Sequence, residues 1–400
     1  MKTCNLIALS VVTVLSHASY ANDFTTKISQ AVKESSLSAD FRYRLEYVDQ
    51  DNVLDEAIGS TLKSRLNIKS GTVSGFSGFI QLDNVSLIGN DHYNSTVNGN
   101  SQYSVIADPK GTDINQAFIR YQSTAGTTFT AGRQQVNHLN QRFLGGVAWR
   151  QNEQTFDGYR LQHNFQQNIS AEISHFYNIN RVFGPKGAAA DQDGSFNTAL
   201  VSWQLHPQHK LSAYGYDLDF TDWAARSSVT LGLDYQGSIN QVPNLSWHLA
   251  LAQQQDQHNA DIDYKHHYHR ISVNWQQQQF SLQAGQERLA GDGTSAFQTP
   301  LATLHAFQGF TDMFLNTPNA GLRDHWLQLS VPVQAVKLNL AWHRFDSDAG
   351  KQHYGDEWNL TANYSFSNKI AAVVKLAYYD AKDLAVDTTK VWFMLSYHLE

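Results

Sequence analysis

The sequence predicts an all-β fold, a transmembrane antiparallel β-barrel of about eighteen strands, and three observations lead to this prediction. The chain finishes on a strand with one apolar face, formed by Val391, Phe393, Leu395, Tyr397 and Leu399. Segments of the same period-2 alternation recur throughout the chain, and the spacers between them alternate between short and long. Membrane barrels have this asymmetry between their two ends, whereas soluble β-sandwiches have no reason to show it.

Composition supports a single barrel domain. The chain has 400 residues, 12% of them aromatic and 16% charged, and its mean hydropathy is −0.42. No linker or change of composition divides it. No run of about eighteen apolar residues follows the N-terminal segment, so any membrane span must be made of strands.

The first residues predict export from the cytoplasm. Lys2 precedes an apolar run over 6–15, and Ser19 and Ala21 are small residues at the positions that a signal peptidase reads. We therefore assign residues 1–21 to a signal peptide, 22–37 to a short N-terminal periplasmic segment with helical spacing, and 38–400 to the barrel. The sole cysteine, Cys4, falls inside the predicted signal peptide.

The strand pattern begins with Ala39, Phe41 and Tyr43, which alternate with charged residues, and continues through eighteen segments up to 388–399. Aromatic residues near predicted strand ends are typical of the two girdles of a membrane barrel. They include Tyr43, Tyr47, Tyr177, Trp203, Tyr216, Trp275, Trp342, Tyr364 and Tyr378.

The spacers predict the orientation. The tight turns are 71–74, 123–126, 166–168, 206–208, 277–278, 332–334 and 367–369, and the longer loops are 49–59, 88–111, 134–154, 181–195, 289–320 and 347–354. Short turns face the periplasm and long loops face outward in bacterial barrels. An even number of strands then places both mature termini in the periplasm.

Four segments carry a resemblance to a known family. They are 41–50 (FRYRLEYVDQ), 61–66 (TLKSRL), the loop that holds GRQQ at 132–135, NQRF at 140–143 and WRQNEQTFD at 149–157, and the loop that holds FQTPLATLHAF at 297–307. Together they resemble the alginate-export family of outer-membrane porins over essentially the whole mature chain. The resemblance implies an eighteen-stranded barrel with a basic pore suited to acidic polysaccharide or other anionic and carbohydrate solutes.

The polar faces of the predicted strands independently suggest a basic lumen, although the whole chain carries a formal charge of −7. A positive lumen concentrates anions and speeds their entry, more so at low salt. The predicted pore-lining residues are Arg42, Arg44, Lys63, Arg65, Lys69, Arg120, Arg133, Arg142, Arg150, Arg160, Arg270, Lys337 and Lys375. Carboxylates such as Glu46, Asp83, Glu172 and Glu287 share these faces.

The segment 291–320 is too long and too apolar for an idle surface loop, so it is predicted to fold inward or over the mouth as a constriction. Thr299 can cap a helix that begins at Pro300. The apolar stripe of that helix, Leu301, Leu304, Phe307 and Phe310, would pack on the wall or on 139–149. Gln298, Thr303, His305 and Gln308 would then face the solute.

The sequence predicts no catalysis, no cofactor and no metal site. The mature chain has no cysteine, and no Ser/His/Asp set lies in a nucleophile-elbow context. His267 and His269 precede an apolar strand face, which favours the lipid interface over metal binding. A barrel-embedded hydrolase and a surface adhesin are the alternatives to a channel.

The predicted function is a passive or facilitated-diffusion porin of the Gram-negative outer membrane. The predicted partners are outer-membrane lipid and lipopolysaccharide, the permeating solutes, and the barrel-assembly machinery, which would bind the C-terminal strand. The acidic net charge argues against nucleic acid as a partner.

Overall fold

A computed structural model of the chain describes residues 18–165, 168–239 and 244–400. One helix, α1 (Ala18–Lys33), precedes the strands. The strands are β1 Ser36–Gln50, β2 Ala57–Lys69, β3 Phe76–His92, β4 Gly111–Gln122, β5 Thr127–Gln134, β6 Thr155–Phe165, β7 Ile169–Asn180, β8 Asp191–His206, β9 His209–Phe220, β10 Ser228–Ile239, β11 Asn244–Asp256, β12 Lys265–Gln276, β13 Ser281–Leu289, β14 Leu322–Val333, β15 Val336–Asp346, β16 His353–Ser365, β17 Ile370–Ala381 and β18 Thr388–Leu399.

The eighteen strands form one closed antiparallel barrel, which confirms the predicted fold class. Each strand pairs with its neighbours in sequence, and β1 also pairs with β18, from Ala39 opposite Leu399 to Gln50 opposite Thr388. Closure leaves no strand edge with unpaired backbone groups, and this is what lets a sheet lie in lipid. In the described part of the chain, no helix is both long enough and apolar enough to cross a membrane.

The outer face of the barrel is apolar. Ile119, Ile173, Leu231 and Leu251 are 58–62% exposed, an unfavourable state in water that suits contact with hydrocarbon. In β18 the predicted alternation is confirmed, because Phe393, Leu395, Tyr397 and Leu399 are exposed while Trp392 and Met394 are buried on the inner side.

Aromatic residues ring both ends of the outer face. Trp203, Trp275 and Tyr364 lie near one end of the barrel, and Tyr177 and Tyr378 near the other, all well exposed. The prediction for Tyr216 was wrong. Its side chain is 4% exposed and points inward, where its hydroxyl contacts the His138 ring at 3.1 Å.

The two ends of the barrel differ, and we name them by their connections. The loop end carries L1 51–56, L2 93–110, L3 135–154, L4 181–190, L5 221–227, L6 257–264, L7 290–321, L8 347–352 and L9 382–387. The opposite turn end carries the short connections and α1, whose Ala31 carbonyl accepts a hydrogen bond from the Gly71 amide at 3.0 Å.

Two of the sequence assignments lie mostly or partly outside the residues that the structure describes. The predicted signal peptide lies mostly outside the described residues, since α1 begins at Ala18. The turn predicted at 166–168 lies partly outside them. The predicted helical spacing of the N-terminal segment agrees with α1, which ends at Lys33.

Candidate functional site

Two loops, L3 and L7, fold back into the barrel and contact inward-facing residues of its wall, and this inward folding was predicted for L7. They are joined to each other by a parallel bridge between Leu144 and Leu301. The Gly145 amide donates to the Leu301 carbonyl at 2.9 Å, and the Gln154 amide group donates to the same carbonyl at 3.0 Å. L3 and L7 therefore form one unit that narrows the lumen.

Basic residues of β1 and β2 hold L3 against the wall. Arg42 donates to the Ala148 carbonyl at 2.8 Å, and Arg44 donates to the Trp149 carbonyl at 2.8 Å. Arg44 also lies over the Trp149 ring, 4.3 Å from its centroid. These arginines point into the lumen as the strand alternation predicts, but they bind the loop backbone there.

Glu153 of L3 forms the ionic part of this attachment. Its carboxylate lies 3.1 Å from Lys63 Nζ and 2.8 Å from Arg65 Nη2. Burial alone would raise the pKa of Glu153, but Lys63 and Arg65 outweigh burial and lower the pKa to about 2. The stabilisation is therefore fully present above the ordinary pKa of glutamate, near 4.5, and is lost as the pH falls through about 2.

Further carboxylates offset the positive charge of Arg42, Arg44, Lys63 and Arg65, which we call the basic ladder. Arg44 lies 3.3 Å from both Glu46 and Asp108, and Arg65 Nη2 lies 2.6 Å from Asp83. Glu46 and Asp83 were predicted on these faces. Asp108 of L2 and Glu153 of L3 were missed, because only tertiary structure brings loop residues to the wall.

Most of the other predicted pore-lining residues are paired with carboxylates, exposed near the turn end, or placed over an aromatic ring. Several are held by acidic partners: Arg133 by Asp157 at 2.8 Å, Arg142 by Glu287 at 2.7 Å, Arg150 by Glu46 at 2.9 Å, and Arg160 by Glu172 at 2.6 Å. Lys69 and Lys337 are exposed near the turn end, Arg120 lies over Phe118, and Arg270 lies over Trp326, with Glu287 at 3.9 Å. Whether solutes contact these residues stays a prediction.

The helix predicted from Pro300 was wrong. L7 has only a short 3-10 turn, Leu304–Ala306, because the preceding backbone pairs with L3 through Leu301. The Thr299 hydroxyl caps no helix and instead accepts a hydrogen bond from Arg142 Nη1 at 2.9 Å. The predicted apolar contact is present in another form, since Leu301 is buried against L3 and Phe307 lies under the Arg142 guanidinium.

The side chains expected to face the solute take part in the contacts that hold L7, and two of them, Gln298 and His305, also line a cavity at the loop end. Thr303, His305 and Gln308 are each at most 8% exposed. Gln308 donates to the Glu287 carboxylate, and Thr303 donates to Gln141 Oε1 at 2.6 Å. Gln298 is half-buried and donates to the Thr317 carbonyl at 2.9 Å. These residues shape the constriction by fixing the loop.

His305 joins L7 to the wall as a neutral ring. Burial lowers the pKa of His305 to about 3, although Asp312 acts in the opposite direction. The neutral imidazole can donate from Nδ1 to Asp312 at 2.8 Å and accept at Nε2 from Lys375 Nζ at 2.7 Å. The ring also stacks on Trp149, with centroids 4.1 Å apart.

Gly309 permits the closest approach of L7 to the wall. Its φ is +79°, and a Cβ there would collide with the Glu357 carboxylate. The Thr311 amide donates to the same carboxylate at 3.0 Å. A side chain at position 309 would therefore displace the constriction.

Cavities lie on both sides of the L3–L7 unit. A cavity of about 510 Å³ opens at the loop end between L2, L3, L4, L5 and L7. Another, of about 490 Å³, opens at the turn end, where Asn140 at the tip of L3 meets residues of β9 to β13. Three residues of the loop-end cavity, Arg181, Trp223 and Arg226, were not singled out from the sequence, although cations beside aromatics in two loops are a readable signal.

Comparison with solved structures shows which known proteins have a similar fold. No family model and no curated protein matches the chain. Among solved structures it is similar to Pseudomonas aeruginosa OccK9 (OpdG), with a TM-score of 0.74 and 13% identity over 92% of this chain and 99% of that one. It is also similar to Acinetobacter baumannii OccAB4, with a TM-score of 0.71 and 13% identity over 91% and 97%.

A third similar structure is that of Pseudomonas aeruginosa OpdK with vanillate, with a TM-score of 0.70 and 12% identity over 91% of this chain and 98% of that one. OpdK is an outer membrane protein. The chain thus has the closed eighteen-stranded antiparallel fold of this class of barrels.

Proposed function

We propose that the protein is an outer-membrane channel for the passive or facilitated diffusion of small anionic or carbohydrate solutes, without turnover or a cofactor. One observation carries the proposal: the closed barrel has an apolar outside and a charged inside, and two loops narrow its lumen. The likeness to OpdK, whose structure holds the carboxylate vanillate, supports an anionic solute. An acidic polysaccharide such as alginate rests on the sequence resemblance alone.

Reconstitution into planar lipid bilayers tests the proposal. We expect discrete conductance steps from the folded protein, because a water-filled lumen carries ions, and none from the same sample after heat unfolding. Folded protein that inserts without conductance steps would contradict a channel.

We further propose that the loop end faces outward and the turn end faces the periplasm. The apolar outer face would contact outer-membrane lipid and lipopolysaccharide, and β18 would be the strand that the assembly machinery binds. The orientation rests on the long connections gathered at one end of the barrel.

Single cysteines can test the orientation in intact cells. Val53 in L1 is 99% exposed, and Thr124, in the turn between β4 and β5, is also exposed. A membrane-impermeant thiol reagent should label Val53→Cys and leave Thr124→Cys unlabelled until the cells are broken. The reverse pattern would invert the proposed topology.

A further inference from the structure

The loop-end cavity has an apolar wall. Five loops line it, and its apolar side chains include Phe183 of L4, Trp223 of L5, and Met313 and Leu315 of L7. Its volume of about 510 Å³ lies in the range of sites that bind small molecules. A ligand that fits these walls has a compact apolar body.

Two arginines in this cavity differ from those that hold L3. Arg181 lies over Phe183 at 4.8 Å and over Trp223 at 4.9 Å, and Arg226 lies 5.2 Å from the centroid of the same Trp223 ring. Within residues 18–165, 168–239 and 244–400, no carboxylate lies within ion-pair distance of either guanidinium. The Arg226 guanidinium donates to the Asn316 amide oxygen at 2.7 Å.

The electrostatic surroundings of the two arginines agree with this geometry. Burial, followed by the nearby positive charge of Arg226, lowers the pKa of Arg181 to about 10. The acidic residue that lines the cavity, Asp312, is already paired with His305 at 2.8 Å and with Arg150 and Lys390 at 3.4 Å. The positive charge of Arg181 and Arg226 is therefore uncompensated.

The arginines are held in place before any ligand arrives. Arg226 ends the 3-10 turn Ala224–Arg226, and its amide donates to the Trp223 carbonyl at 2.8 Å. Trp223 packs edge-on against Phe220, with centroids 5.8 Å apart. The Arg181 amide donates to the Ala190 carbonyl at 2.8 Å across L4. Preorganisation of this kind reduces the entropy lost on binding.

We propose that Arg181, Trp223 and Arg226 form a capture site at the loop end for a small organic anion with a flat apolar body. The guanidinium groups bind the anionic end through charge-assisted hydrogen bonds, and the indole and Phe183 contact the ring. This inference rests on the proposed channel function and names where its solutes first bind. A strongly hydrated inorganic anion gains nothing from the apolar walls.

Binding of 4-fluorobenzoate to the detergent-solubilised protein, followed by fluorine NMR line broadening, tests the site without requiring flow. R181Q/R226Q should weaken binding about tenfold or more, since two charge-assisted contacts are lost. The matched control R323Q/R344Q removes two other loop-end arginines, which pair with Asp348 and Asp346, and should leave binding unchanged. Circular dichroism checks that each variant is folded.

Two further comparisons separate the contribution of the ligand's charge from that of its aromatic shape. The neutral 4-fluorobenzamide should bind much more weakly than 4-fluorobenzoate, and W223L should reduce the preference for the aromatic anion over fluoroacetate. Unchanged binding in folded R181Q/R226Q, or displacement of the probe by inorganic phosphate as readily as by benzoate, would overturn the assignment. Conductance without binding would refute this site alone, whereas binding without conductance would refute the channel.

Discussion

Replacing residues 294–316 of L7 with a short Gly/Ser linker should raise single-channel conductance several-fold while the eighteen strands stay paired. The replacement removes His305, Gln308 and Asp312, which join L7 to the wall and to L3. A short linker can span the gap, because the Gly293 amide donates to the Asn319 carbonyl at 2.9 Å at the base of the loop. The strand hydrogen bonds that close the barrel lie outside the deleted segment.

A matched replacement of residues 257–263 in L6 provides the control. This loop lies at the same end of the barrel, and its His258 and Asn259 contact β9 and L5. Its loss should leave conductance unchanged. An L7 replacement that folds but conducts like the parent would show that L7 does not form the constriction.

Changing Arg42, Arg44, Lys63 and Arg65 together to Gln should shift the reversal potential strongly toward cation preference. The change leaves Asp83 and Glu153 without their cations and removes Arg44 from beside Glu46 and Asp108, which keep Arg150. Breaking one partner of a buried ion pair costs about 3–5 kcal/mol, so L3 should also loosen. The shift should grow at low ionic strength, since salt screens the lumenal charges.

The variant Glu153→Gln separates the effect of the lumenal charge on selectivity from the effect of a looser L3. This variant also weakens the attachment of L3, but it removes the negative charge that pairs with Lys63, while Arg65 keeps Asp83. Its reversal potential should therefore move toward anion preference, opposite to the quadruple variant. Shifts of the same sign in both variants would mean that the position of L3, and not the charge of the ladder, sets selectivity.

The barrel itself was predictable from the sequence. Strand alternation has a period of two and is visible locally, so the eighteen strands and the closing role of 388–399 could be read without tertiary information. Strand limits were less exact where a strand continues beyond its apolar stretch. β3 extends to His92 and β8 begins at Asp191, since both project beyond the apolar belt.

The interior was predictable only in part. The inward direction of Arg42, Arg44, Lys63 and Arg65 follows from alternation, but their pairing with Glu153 and Asp108 depends on how the loops fold. The predicted helix at Pro300 failed for a related reason: helical spacing over a few residues cannot compete with the backbone pairing of Leu301 and Leu144. Tyr216 was assigned to a girdle because the sequence near a strand end does not show whether an aromatic side chain faces the lipid or the lumen.

The most direct test of an anion-conducting lumen is the reversal potential of the unaltered protein in a planar bilayer with a gradient of potassium chloride. The exposed cations Lys69 and Lys337 near the turn end, together with Arg181 and Arg226 at the loop end, predict a preference for chloride that decreases as salt is raised. A reversal potential of the sign expected for potassium preference at low salt would contradict the account.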